Sequence, residues 1–322
     1  MRRLLAAFVV LVLVAGLATA ASAPRPGSPR EYLTYALGLL RAHSIDRDFI
    51  DWPEVEADAM RLAASASDPA DTYPAIQSVI YQLGNPHTSL LTPAAAMPPP
   101  PETIDVPTSR SLGDVAVLTV PQFKADPVGE RRYIAAGVAA ASDAGNPCGW
   151  IVDLRGNLGG DMVPMLTVVA PLLDEGELGS FEQLDGSSTW SLRSGRVLVD
   201  GRAPVDEANP LRLARPHPPV AVLTDGRTAS SGELTLVAFR GLGRAASFGQ
   251  ATAGFATGNE AFRLSDGAVL LITSSRTVDR TGRRYGNTPI QPDHPLPAAA
   301  TTDQEVAAAT AWLHTQPGCA HR

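Results

Sequence analysis

Ser230 and Ser231 lie where an apolar run turns into a segment of helical spacing. Val220, Ala221, Val222 and Leu223 read as a buried strand, and Thr224-Asp225-Gly226 is a turn signal. Leu234, Leu236, Val237 and Phe239 then recur as on a helix. The first N–H groups of a helix have no partner within it and carry partial positive charge, which favours an anion nearby. A serine that attacks a carbonyl needs such surroundings, because the attack creates an oxyanion. The same residues also fit a plain helix cap, with Glu233 closing a capping box on Ser230. Two other loops could take part in acyl transfer. His87 follows Leu83-Gly84-Asn85-Pro86, and it reads either as a general base or as a loop histidine at a helix C-terminus. Arg155-Gly156-Asn157-Leu158-Gly159-Gly160 ends a strand. Its glycines let backbone N–H groups approach a ligand closely, or form only a turn.

The elements that must hold these loops fall into two textures. From Arg30 to Leu90 the pattern is helical: Tyr32, Leu33, Ala36, Leu37 and Leu40 share one face, Asp51-Trp52-Pro53 starts a helix, and Thr72-Tyr73-Pro74 starts another that ends at Gly84. Residues 93–107 are rich in Pro and Ala and read as a linker. Beyond it strands alternate with helices. Val115 to Val120 and Trp150 to Leu154 are strands, and Arg131 to Ala141 and Met162 to Leu173 are helices. After the Val220 strand and its helix come a strand near Arg244 to Phe248 and a hairpin over Glu260 to Thr277 turning at Asp266-Gly267. A helix over Thr302 to Leu313 ends the chain. Alternation of this kind implies a mainly parallel sheet covered by helices.

The 322 residues are 44% hydrophobic and 18% charged, with a net charge of −7. That balance fits a globular protein and offers no basic surface for nucleic acid. Met1-Arg2-Arg3, an apolar stretch from Leu4 to Leu17 and Ala18-Thr19-Ala20 have the pattern of an export signal over residues 1–20. An uncleaved anchor is the alternative, and would be the protein's sole attachment to a membrane. Export predicts a secreted, cell-surface or periplasmic location. There Cys148 and Cys319 could form one disulfide tying down the tail, or remain two thiols. Neither the two cysteines nor the six histidines have the spacing of a metal site, so no metal or other cofactor is expected.

Four motifs occur in a set order: Leu83-Gly84-Asn85-Pro86-His87-Thr88, Asp153-Leu154-Arg155-Gly156-Asn157-Leu158-Gly159-Gly160, Thr228-Ala229-Ser230-Ser231-Gly232-Glu233 and Ile290-Gln291-Pro292-Asp293. Together they resemble the C-terminal processing (tail-specific) serine peptidases over roughly residues 30 to 300. The resemblance implies an α/β fold with a ClpP/crotonase-like ββα superhelix core and a small N-terminal helical domain. It places the nucleophile at Ser230, three residues before Glu233. Common members pair that serine with a lysine, but Phe255 stands at the lysine's position, and Lys124, the chain's single lysine, lies in another segment. The segment between His87 and the Asp153 strand is too short for the peptide-binding PDZ domain of many members. Both departures point to the family's Ser–His branch.

The resulting expectations divide the chain into a signal or anchor at 1–20, a helical domain carrying the histidine at 30–92, a linker at 93–107 and a peptidase core at 108–316. Ser230 attacks a peptide carbonyl. His87, whose imidazole ordinarily titrates in a useful range, relays the proton. The N–H groups of Gly159 or Gly160 and of Ser231 hold the oxyanion. Glu233, Ser89 and Asp293 are candidates to orient His87, and Asn157 could hold substrate backbone or only end the strand turn. The substrate is a peptide or protein, cut near its C-terminus. A non-catalytic binder on the same fold and an exported esterase are the alternatives.

Overall fold

The computed structural model describes residues 28–124 and 126–320. The expected signal at 1–20 lies outside the described residues. In chain order the elements are α1 (Pro29–His43), α2 (Trp52–Leu62), α3 (Tyr73–Leu83), β1 (Ser89–Leu91), α4 (Pro93–Ala96), β2 (Thr108–Leu112), β3 (Val115–Thr119), α5 (Pro127–Asp143), β4 (Gly149–Asp153), α6 (Met162–Val169), β5 (Gly176–Gln183), β6 (Gly186–Arg193), β7 (Arg196–Val199), β8 (Val220–Thr224), α7 (Ser231–Phe239), β9 (Ala245–Gly249), β10 (Thr257–Arg263), β11 (Val269–Asp279), β12 (Arg284–Tyr285), β13 (His294–Pro295) and α8 (Thr302–Leu313). No described helix is long and apolar enough to cross a membrane.

The chain divides into two compact units. The first comprises residues up to Met97 together with Thr257–Ser275, and the second comprises Pro98–Ala256 and Arg276–Arg322. The sequence-based core ran unbroken from 108 to 316, whereas β10 and the first part of β11 belong to the first unit. The physical reason is burial. Leu264, Ala268, Leu270 and Ile272 of this hairpin pack against Tyr32, Leu37, Val55, Ile76 and Val79 of α1, α2 and α3. A lone two-stranded hairpin is only marginally stable in water and gains stability by packing its apolar face against the helices. The turn is also anchored: Asp266 accepts hydrogen bonds from the Tyr32 hydroxyl at 2.9 Å and from the Tyr73 hydroxyl. The strand β1 extends the hairpin, pairing antiparallel with β11 from Ser89 opposite Leu271 to Leu91 opposite Val269. Helix α3 stops where Gly84 adopts a left-handed φ of 71°, a conformation nearly free of cost for glycine alone. The expected 93–107 linker contains the short α4 and a single 3-10 turn at Pro101–Thr103.

The second unit holds a six-stranded sheet in the order β13-β9-β8-β4-β3-β2. Its steps from β3 to β4, β4 to β8, β8 to β9 and β9 to β13 are all parallel, and β2 alone runs antiparallel, against β3. Strands β3, β4 and β8 are apolar at nearly every position, as expected of strands covered on both faces. On one face, Val115, Val117, Ile151, Ala221, Leu223 and Phe248 pack against Val306, Ala309 and Leu313 of α8. Helix α7 is buried on all sides, which accounts for its lack of a polar stripe. The antiparallel meander β5-β6-β7 was absent from the sequence reading. Its strands carry Gly and Ser among few apolar residues, and only the side chains facing inward, such as Trp190 and Leu192, betray them. Cys148 and Cys319 form a disulfide with their Cα atoms 4.7 Å apart.

Candidate active site

Parallel strands deliver their C-terminal ends to one edge of a sheet, and the loops that follow are natural sites for ligands. Two such loops meet in the second unit: the one after β4, from Leu154 to Asp161, and the one after β8, from Asp225 to Ser230. They are laced together. Leu154 O accepts from Thr228 Oγ1 at 2.9 Å, Gly156 N donates to Asp225 Oδ1 at 3.0 Å, and Ala229 N donates to Asn157 O at 2.9 Å. Arg155 secures the first loop by donating to Asp153 and, at 2.6 Å, to Glu305 of α8.

Ser230 occupies the N-cap of α7 with φ 52° and ψ −120°. Such angles are costly for a residue with a Cβ, by about 1–3 kcal/mol, and persist only where the surroundings enforce them. Glu233 is part of that enforcement. Its buried carboxylate accepts from Ser230 N at 2.9 Å, Phe255 N at 2.6 Å, Gly254 N at 3.0 Å and Thr252 Oγ1. Burial raises its pKa, while the four donors act the other way. Glu233 is thus a brace between the serine turn and the 252–255 loop. Phe255 contributes its backbone N–H to this brace.

The glycine loop comes against the serine. A Cβ on Gly159 would lie 2.8 Å from Ser230 Cβ and 3.0 Å from Ser231 N, and one on Gly160 would lie 1.6 Å from Phe123 O. The Gly159 N–H is committed to Asn157 Oδ1 at 2.8 Å. Asn157 Nδ2 donates to Val120 O at 2.8 Å, so this amide is spent on holding the loop rather than presented to a ligand. Ser231 donates its hydroxyl to Gly160 O at 2.6 Å. The sequence reading gives Ser231 only a backbone role, its N–H at the oxyanion, and none for its hydroxyl. The bond makes it a fastener of the glycine loop. Ser231→Ala leaves that buried carbonyl short of a donor, which costs about 1–3 kcal/mol. Urea unfolding should register the loss.

In the first unit, His87 is 3% exposed and its Nδ1 lies 2.6 Å from Thr257 Oγ1. Its backbone is held at both ends: His87 N donates to Asn85 Oδ1 at 3.0 Å, and His87 O accepts from Asn259 Nδ2 at 2.9 Å. Among the three residues considered from sequence, Glu233 is occupied as described. Asp293 accepts from Arg240, Ser247 N and Ser247 Oγ in the second unit. Ser89 lies in β1, paired with β11. A partner of the imidazole at Nδ1 is Thr257, which sequence reasoning missed. It is 170 residues from His87 in the chain and carries no local signal.

Burial pushes the His87 pKa down to about 3, away from the range expected from sequence. The imidazole is therefore neutral at ordinary pH. Its effect on stability follows with a definite sign. Below about pH 6.5 the unfolded chain takes up a proton that the folded chain refuses until about pH 3, so stability falls as pH drops through that window. The slope contributed is at most about 1.4 kcal/mol per pH unit. Chemical unfolding at pH 7 and pH 4 should show a larger difference for the wild type than for His87→Phe.

Within the second unit, a strained serine at a helix start with a glycine loop against it is suited to acyl transfer. Comparison with known proteins agrees. Residues 114–296 match the model of peptidase family S41. The nisin-resistance protein of Lactococcus lactis subsp. lactis is 30% identical over 90% of this chain and 89% of its own length. A solved lipoprotein from Streptococcus agalactiae is 26% identical, covers 91% of this chain and 98% of its own, and superposes with a TM-score of 0.77. The photosystem II D1 C-terminal processing protease shares the fold at a TM-score of 0.57 and 16% identity, over 88% of this chain and 97% of its own. The chain belongs to peptidase family S41 and is a serine peptidase.

Proposed function

We propose that this protein is an exported endopeptidase that cuts peptide or protein substrates near their C-terminus, with Ser230 as nucleophile and His87 as general base. The observation that carries the reading is the strained Ser230 at the head of α7, with Gly159 against it. Attack of Ser230 Oγ on the carbonyl transfers its proton to His87 Nε2, and the imidazolium returns that proton to the leaving amine. Water then hydrolyses the acyl-enzyme with the same base. The N–H groups of Gly160 and Ser231 hold the oxyanion, since Asn157 already occupies that of Gly159.

For Nε2 to accept a proton, Nδ1 must carry the hydrogen and donate it to Thr257 Oγ1. Thr257→Val should lower kcat by roughly 10- to 100-fold with little change in KM, short of the ~10⁴-fold effect of replacing a buried aspartate orienter in other serine proteases. Steady-state kinetics would separate the two parameters.

Export is supported by the composition of Met1 to Ala20 and by the Streptococcus relative, which is described as a lipoprotein. The preference for C-terminal positions is supported by the processing protease that shares the fold. Mass spectrometry of a peptide library incubated with wild type, Ser230→Ala and His87→Ala tests the whole reading. Cuts should cluster near C-termini with wild type and vanish with both variants. Persistent cutting by either variant, or cuts spread evenly along the peptides, would overturn it.

A further inference from the structure

Outside the peptidase machinery, one cluster gathers four metal-ligating side chains from three distant parts of the chain. Asp114 precedes β3, Cys148 precedes β4, and His314 and Cys319 follow α8. One ligand atom from each lies within 4.8 Å of every other. His314 Nε2 is 2.9 Å from Asp114 Oδ1, and Cys148 Sγ is 3.4 Å from Asp114 Oδ2. Both cysteines are buried, whereas Asp114 faces solvent and so leaves a route for an ion. Chain spacing hides this set, because its members are brought together only when α8 packs on the sheet through Val306, Ala309 and Leu313.

We propose that the reduced protein binds one thiophilic divalent cation, zinc in the first instance, through Cys148, Cys319, His314 and Asp114. The disulfide and the metal are alternative clamps on the C-terminal tail. Two thiolates, an imidazole and a carboxylate form a donor set that suits tetrahedral zinc, with metal–ligand distances of about 2.0–2.3 Å. Ligand atoms already within 4.8 Å of one another need only small side-chain shifts to close around an ion. Conversion requires a two-electron reductant. A phosphine attacks the disulfide and, with one water, yields phosphine oxide and two thiols. Each thiol then gives up its proton as the metal binds. In the oxidised state both sulfurs are bonded to each other, and the ion has no thiolate to hold.

The test uses the full chain, reduced with excess phosphine under anaerobic conditions and titrated with Co²⁺, with Zn²⁺ as competitor. Reduced wild type should show thiolate-to-cobalt charge-transfer absorption that saturates at one equivalent and disappears on adding Zn²⁺. Zn²⁺ should raise the Tm of the reduced chain and leave that of the oxidised chain unchanged. His314→Ala and Asp114→Asn spare the disulfide, so both fold in the oxidised form. After reduction each should bind Co²⁺ at least about 10-fold more weakly. Absence of the charge-transfer band in the reduced wild type would overturn the proposal. So would binding that neither substitution weakens, because two thiols alone would then account for it.

Discussion

With Ser230 as the proposed nucleophile, Ser230→Ala should lower kcat/KM for peptide hydrolysis by about 10⁴-fold or more, the scale on which serine peptidases lose activity with their nucleophile. KM should change little, because the lost hydroxyl contributes to the reaction rather than to substrate binding. The backbone geometry adds a second expectation that a mere helix cap would not produce. Ser230 sits at φ 52°, where a side chain is strained and glycine is not. Ser230→Gly should therefore be as inactive as Ser230→Ala, yet more stable than wild type by about 1 kcal/mol. That figure is what remains of the relieved strain after the extra entropy of an unfolded glycine is subtracted. Urea unfolding of both variants measures the difference. If the glycine variant were clearly less stable than wild type, the serine would be a stabilising cap and not a residue held under strain for catalysis.

Gly160→Ala is the second large effect, and it acts through the backbone. Its φ is 116°, and an added Cβ would lie 1.6 Å from Phe123 O and 2.6 Å from Phe123 C. Both neighbours are main chain, pinned by Phe123 N donating to Gly159 O at 3.0 Å and Asp161 N donating to Phe123 O at 2.9 Å. Nothing flexible can yield, so the loop must shift. Strain and overlap together should cost about 3 kcal/mol or more. If the Gly160 N–H serves the oxyanion as proposed, its displacement should cost about 10²- to 10³-fold in kcat, the loss seen for one such donor elsewhere. Kinetics of the fraction still folded, alongside a thermal melt, separates the two contributions. Gly156→Ala provides a contrast: its φ is also positive, at 74°, but its Cβ would meet no atom within 4 Å. It should lose about 1 kcal/mol of stability and little activity.

Much of this protein was legible because its signals are local. The strand, turn and helix around Ser230 follow from a short apolar run, a Thr-Asp-Gly turn and helical spacing. The start of α5 was missed by several residues, since it depends on Asp126 accepting from Val128 N and Gly129 N ahead of any apolar periodicity. The β5-β6-β7 meander escaped notice because inward and outward residues alternate too weakly in Gly- and Ser-rich strands. Asn157 could be placed in its loop, but whether its amide served substrate or scaffold could not be told. In the structure its amide donates to Val120 O and accepts from Gly159 N.

The amino-acid sequence by itself determined the order of the elements, the serine turn, the glycine loop and the exclusion of a lysine at position 255. Each is a matter of residue type at short range. Tertiary structure decided everything that joins distant segments. It assigned β10 and the start of β11 to the first unit, by burying Leu264, Leu270 and Ile272. It paired His87 with Thr257 and depressed the imidazole pKa by removing water from around it. It made Glu233 a four-fold acceptor and gathered Asp114, His314 and the two cysteines. Desolvation and hydrogen bonding depend on which atoms meet in space, and spacing along a chain does not encode those meetings one residue at a time.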